Sequence, residues 1–226
     1  MCNRYKYPSD VTLKTKLREI IVAEKEMPAS YNTAPTELAP VITNTKPEAV
    51  QYFRWGLIPS WAKDMKTGFL TTNARAETLT TTKSYSGLIS KRRCLVVADG
   101  FYEWNKKGDD PKQPYFIHAK SEFTIFAGLW TVWKNPATDS WLPSFTIVTC
   151  APNDFMHSLH DRMPVILDEE KQKLWLDNEL PEKELLSLLQ PYPDDQMAAY
   201  LVSKSVNNVR NKEASVAMPI VGNNGQ

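Results

Sequence analysis

Between residues 39 and 150 the chain repeats one pattern. Short runs rich in β-branched and aromatic residues, APVIT, VQYFRW, RRCLVVADGFYEW, PYFIHAK, FTIFAGLW and SFTIVTC, are separated by proline, glycine and polar turns. This predicts a curved sheet or a partly closed barrel. Helices are expected around it. Residues 9–25, SDVTLKTKLREIIVAEK, place Leu13, Leu17, Ile20 and Ile21 on one helical face, with Ser9 or Asp10 as the cap. Pro152 and Asn153 open a short helix through MHSLH, and RMPVIL follows as a strand. EEKQKLWLD and PEKELLSLL are expected to be helical, and AYLVS a last strand before a frayed tail, GNNGQ. No internal repeat or linker divides residues 1–226. The expected fold is one α+β domain with a β-barrel-like core of mixed or antiparallel strands and peripheral helices.

Charge narrows the possible partners. A formal net charge of +1 excludes a polybasic, histone-like protein, so any nucleic-acid site must be a local patch. Three scattered cysteines, Cys2, Cys94 and Cys150, do not make a disulfide framework, which points to a reducing, cytoplasmic setting. No apolar run reaches the roughly 20 residues needed to cross a bilayer, and no signal-peptide pattern precedes Cys2. Cys2 has one distinctive property. Removal of Met1 would give it an α-amine and a thiol on adjacent carbons, a pair that no internal cysteine offers.

Other residues carry chemistry at particular spacings. Glu103 in DGFYEW follows an apolar strand, where burial would raise its pKa and suit acid–base work; the alternative is a surface glutamate at a turn. His157 and His160 are spaced to share a helical face, but two ligands do not make a metal site, and neither CxxC nor HExxH accompanies them. His160 in HDRMP reads either as a proton shuttle or as a simple hydrogen-bonded histidine. In TTNARAET, an extended backbone would send Asn73, Arg75 and Glu77 to one side, making either an anion-facing site or a solvated loop. Arg4, Arg75 and Arg162, with Trp61 as a stacking face, have the composition of a single-strand binding groove; Trp61 alone reads as core packing.

Seven blocks in order, MCNRY, YNTAPT, RWGLIPSWAKD, TTNARAET, RRCLVVADGFYEW, TIFAGLW and HDRMPVIL, together resemble the SRAP (SOS response-associated peptidase) family over residues 2 to about 167. The resemblance implies a sensor of abasic sites in single-stranded DNA that crosslinks itself to the lesion through its N-terminal cysteine. It puts Cys2, Asn73, Glu103 and His160 at the functional positions. Arg4, Asn32, Pro35, Trp61, Arg75 and Arg162 fall at DNA-binding positions. It also implies a monomer acting at the nucleoid, with replication-fork proteins nearby, without a membrane, metal or organic cofactor. Two competing readings stand beside it: a cysteine peptidase using Cys2 with His160 as base, and a non-catalytic reader of single-stranded DNA.

Overall fold

The computed structural model describes residues 3–16, 21–22, 27–105 and 112–220. Thirteen strands occur among them: β1 (Tyr5–Tyr7), β2 (Ile21–Val22), β3 (Ser30–Thr33), β4 (Leu38–Thr43), β5 (Lys46–Trp55), β6 (Asn73–Arg75), β7 (Arg93–Ala98), β8 (Gly100–Trp104), β9 (Pro114–Ala119), β10 (Thr124–Lys134), β11 (Trp141–Cys150), β12 (Met163–Pro164) and β13 (Met197–Leu201). The α-helices are α1 (Asp10–Lys16), α2 (Asp154–His157), α3 (Glu169–Leu176) and α4 (Glu182–Ser187).

Strands β5, β4, β7, β10 and β11 pair in that order, and the parallel contact of β11 with β5, Ser144 opposite Arg54 and Phe145 opposite Trp55, closes them into a barrel. Beyond that contact β6 takes over the same flank of β11, with Asn73 opposite Ile147 and Arg75 opposite Thr149. The second sheet, ordered β13-β9-β8-β1-β3, is antiparallel throughout. Tyr5, fully buried between the layers, meets Trp55 edge-on at 4.9 Å and Phe126 at 6.1 Å. The fold is thus one α+β domain with a barrel core, as the strand pattern predicts.

Four local expectations are corrected. The run at 92–104 is two strands in two sheets. It breaks at Asp99, which Lys6 of β1 engages as an ion pair, and resumes at Gly100, where a Cβ would lie 2.5 Å from the Ile117 carbonyl oxygen. The helix expected over 9–25 covers only Asp10–Lys16, and Ile21–Val22 instead run parallel to β5, in keeping with the β preference of branched side chains. Leu17 and Ile20 lie outside the described residues, as does the tail 222–226. Ser9 is the cap, its Oγ accepting the Thr12 N–H at 3.3 Å; Asp10 is buried and accepts the Met27 N–H at 2.6 Å and the Tyr52 hydroxyl.

RMPVIL forms only the short β12 and a bridge from Ile166 to Phe126. The helix opened by Asn153, whose Oδ1 accepts the Met156 N–H at 2.9 Å, ends at His157 and stops short of His160.

Candidate functional site

β1 lies between β3 and β8, so the N-terminal segment runs along the strand that carries Glu103. Tyr5 faces Phe101, Lys6 faces Gly100, and the Tyr102 N–H donates to the Arg4 carbonyl at 2.9 Å. Continuing this register places Asn3 opposite Glu103. Asn3 is also tied to the barrel rim, because the Asn73 Nδ2 donates to its Oδ1 at 3.2 Å. Cys2 itself lies outside the described residues.

His160 enters from the turn after α2. Its Nε2 stands 3.9 Å from Oε2 of Glu103, and both residues are buried, at 6% and 4% exposure. That distance is too long for a direct hydrogen bond but within charge–charge range. The other ring nitrogen, Nδ1, lies 3.0 Å from the Arg162 N–H and 2.8 Å from Oδ1 of Asp161. A nitrogen cannot accept and donate at once, so these contacts serve different states. Nδ1 accepts from the Arg162 N–H when it carries no hydrogen and donates to Asp161 when it does.

The structure therefore brings Asn73, Glu103 and His160 to one rim, together with Asn3 and Asp161. The sequence reading passed over those last two, although each is the immediate neighbour of a residue it named. The two histidines do not share a face: His157 is exposed on α2 and His160 is buried beyond its end. Among the described residues, no three His, Cys, Asp or Glu side chains gather closely enough to hold a metal ion.

The cations have distinct settings. Arg162 presents its fork to Glu77, with Nη1 to Oε1 at 2.6 Å and Nη2 to Oε2 at 2.9 Å, and donates to the Thr149 carbonyl at 2.8 Å. The hydrogen bond from Arg162 holds the Glu77 carboxyl below its ordinary pKa against the opposing effect of partial burial. Glu77 belongs to a 3-10 turn, Ala76–Thr78, so it does not alternate with Asn73 and Arg75 along one strand. Arg75 is exposed.

Arg4 donates to Asn32 Oδ1 at 3.0 Å, and burial lowers its pKa, with Glu37 opposing. Asn32 is fully buried, and its side-chain hydrogens go to protein carbonyls. Pro35 occupies the second position of a tight turn in which the Glu37 N–H donates to the Ala34 carbonyl and Thr36 takes φ +80°. Trp61 is 52% exposed on the loop between β5 and β6, with Lys83 Nζ 4.8 Å from its ring centroid. Gly56, at φ +110°, starts this loop; a Cβ there would lie 2.3 Å from the Gly68 carbonyl oxygen.

The barrel rim therefore holds a buried carboxyl and a buried imidazole beside the segment that leads into β1. Residues 1–209 match the family model described as SOS response associated peptidase (SRAP), and the chain belongs to that family. It is 40% identical over 222 residues to the abasic site processing protein YoqW of Bacillus subtilis, covering 93% of this chain and 96% of that one. It is 35% identical over 225 residues to the abasic site processing protein HMCES of Gallus gallus, covering 84% of this chain and 66% of that longer protein. An X-ray structure of a protein from Bacteroides thetaiotaomicron superposes with a TM-score of 0.87 at 26% identity, covering 97% of this chain and all of the other.

Proposed function

We propose that the chain recognises abasic sites in single-stranded DNA and binds them covalently through Cys2 after removal of Met1. The observation that carries this reading is the buried Glu103–His160 pair beside the strand into which Cys2 leads. An α-amine with a pKa of about 7.7–8.0 is partly neutral near neutrality and adds to the open-chain aldehyde of the abasic sugar. The carbinolamine loses water to give an imine. The Cys2 thiol then adds to the imine carbon, its proton passing to nitrogen, and a five-membered thiazolidine closes without any oxidant or reductant.

Glu103 transfers protons during sugar ring opening and dehydration, and His160 shuttles protons at the sugar hydroxyl. Asn73 orients the terminal segment through Asn3. Arg75, exposed on β6, and Arg162, beside it on the rim and paired with Glu77, hold the flanking phosphates.

The test is a denaturing gel of the protein mixed with single-stranded DNA containing one abasic site. A heat-stable slow band is expected, and none with the borohydride-reduced, aldehyde-free analogue. Equal yield from the reduced analogue sinks the proposal; peptide hydrolysis without any adduct supports the peptidase reading instead.

Cys94 and Cys150 do not compete for this chemistry. Burial pushes the Cys94 thiol well up, and it pushes Cys150 up to about 12. Iodoacetamide at mildly alkaline pH is expected to label the folded protein once, at Cys2, and to reach the other two only in denaturant. Peptide mass spectrometry reads this, and native labelling of Cys94 or Cys150 contradicts it.

A further inference from the structure

We propose that Glu77, an acidic side chain at an anion-binding rim, is a positioning residue for DNA: its carboxylate clamps the Arg162 guanidinium in place and separates it from the charge of Arg75. The proposal rests on the reading of the chain as a single-stranded DNA binder in which those two arginines hold phosphates.

The three residues meet around Thr149. On one edge of β11 Thr149 pairs with Arg75 of β6, and on the other with Pro164 of β12. Glu77 sits in the turn that follows β6, and Arg162 immediately precedes β12, so the acid and the base arrive from opposite edges of one strand. Arg162 crosses the end of β11 to close the gap, its Nη2 donating to the Thr149 carbonyl at 2.8 Å and its two Nη groups meeting the Glu77 oxygens at 2.6 and 2.9 Å.

Arg162 needs to be held there. Its Nε is buried and has no hydrogen-bond partner among the described residues. A buried donor left unsatisfied favours any rotamer that carries the guanidinium out to water. The paired, charge-assisted bonds to Glu77 oppose that escape. The Arg162 side chain is 15% exposed against 51% for Glu77, so the pair is half-sheltered, unlike the fully solvated ion pairs that contribute little. The carboxylate also offsets repulsion between two cations at one rim. The bond from Arg162 is the chief cause that keeps the Glu77 carboxyl below its ordinary pKa, and the charge of Arg75 acts in the same direction. Each Nη gives one hydrogen to Glu77, and the second on Nη2 goes to Thr149, so Nη1 keeps one for a phosphate oxygen while the carboxylate stays in place.

The experiment measures binding of an undamaged thymidine oligonucleotide across a salt series. Glu77→Gln removes a negative charge, so charge alone predicts tighter binding and a steeper log–log salt slope. The clamp predicts the opposite: binding about tenfold weaker at low salt, and a slope smaller by roughly 0.7 because Arg162 no longer neutralises its phosphate. Glu77→Asp, which keeps a carboxylate, should recover most of both. Arg162→Ala/Glu77→Gln should bind no more weakly than Arg162→Ala alone, since nothing is left to position. Unchanged binding by Glu77→Gln, tighter binding with a steeper slope, or losses that add in the double variant each overturn the clamp and leave the functional reading standing. Absence of oligonucleotide binding by the wild type overturns that reading, and this inference with it.

Discussion

One extra residue inserted between Met1 and Cys2 is expected to eliminate the heat-stable adduct. The insertion moves the terminal amine by roughly 3.3–3.6 Å, about the whole distance at which reacting atoms must be held. It also removes the amine from the carbon adjacent to the thiol-bearing methylene, so sulfur can no longer close a five-membered ring. Cys2→Ala should be milder. It keeps an α-amine after methionine removal and still forms an imine, but borohydride is needed to trap it. Parallel gels with and without borohydride separate the two variants. An extended terminus with full activity refutes the use of the α-amine, and an untreated Cys2→Ala adduct as durable as wild type refutes the thiazolidine.

The second large effect is expected at Glu103. Replacement by alanine should slow adduct formation by about 10²–10⁴-fold while leaving the identity of the product unchanged, the range typical of losing a positioned acid–base group. Glu103→Gln keeps the shape of a side chain that is 4% exposed but cannot exchange the proton, so it should be nearly as slow. Single-turnover time courses read by gel decide the matter. A glutamine variant at the wild-type rate would reduce Glu103 to a packing residue against His160.

Much of the barrel was legible because its strands are long and follow period-two or continuous apolar patterns, and each run between 39 and 150 became strand. What escaped was decided by tertiary contacts. The branched side chains of Ile21–Val22 favour a strand only weakly; the edge of β5 decides it. The division at Asp99 depends on Lys6, over ninety positions away in the sequence. The site shows the same division. Glu103 and His160 are visible as residue types, but their 3.9 Å meeting joins one sheet to a turn beyond the other. The Asn32 amide anchors a loop about 175 positions later, a partnership that the local stretch YNTAPT does not show. Hydrogen bonds at that separation leave no periodicity to read.

The position of β1 also bears on the order in which the molecule is made. Its partners are β3, close behind it, and β8, which begins at Gly100. A lone pair of short strands is at best marginal in water, so β1 has no stable sheet to join until β8 has been synthesised. At about 5–20 residues per second, the stretch from Thr33 to Gly100 occupies roughly 3–13 s of translation. Arg4 is engaged later still, because the loop whose Val206 carbonyl accepts its guanidinium is among the last parts of the protein to emerge.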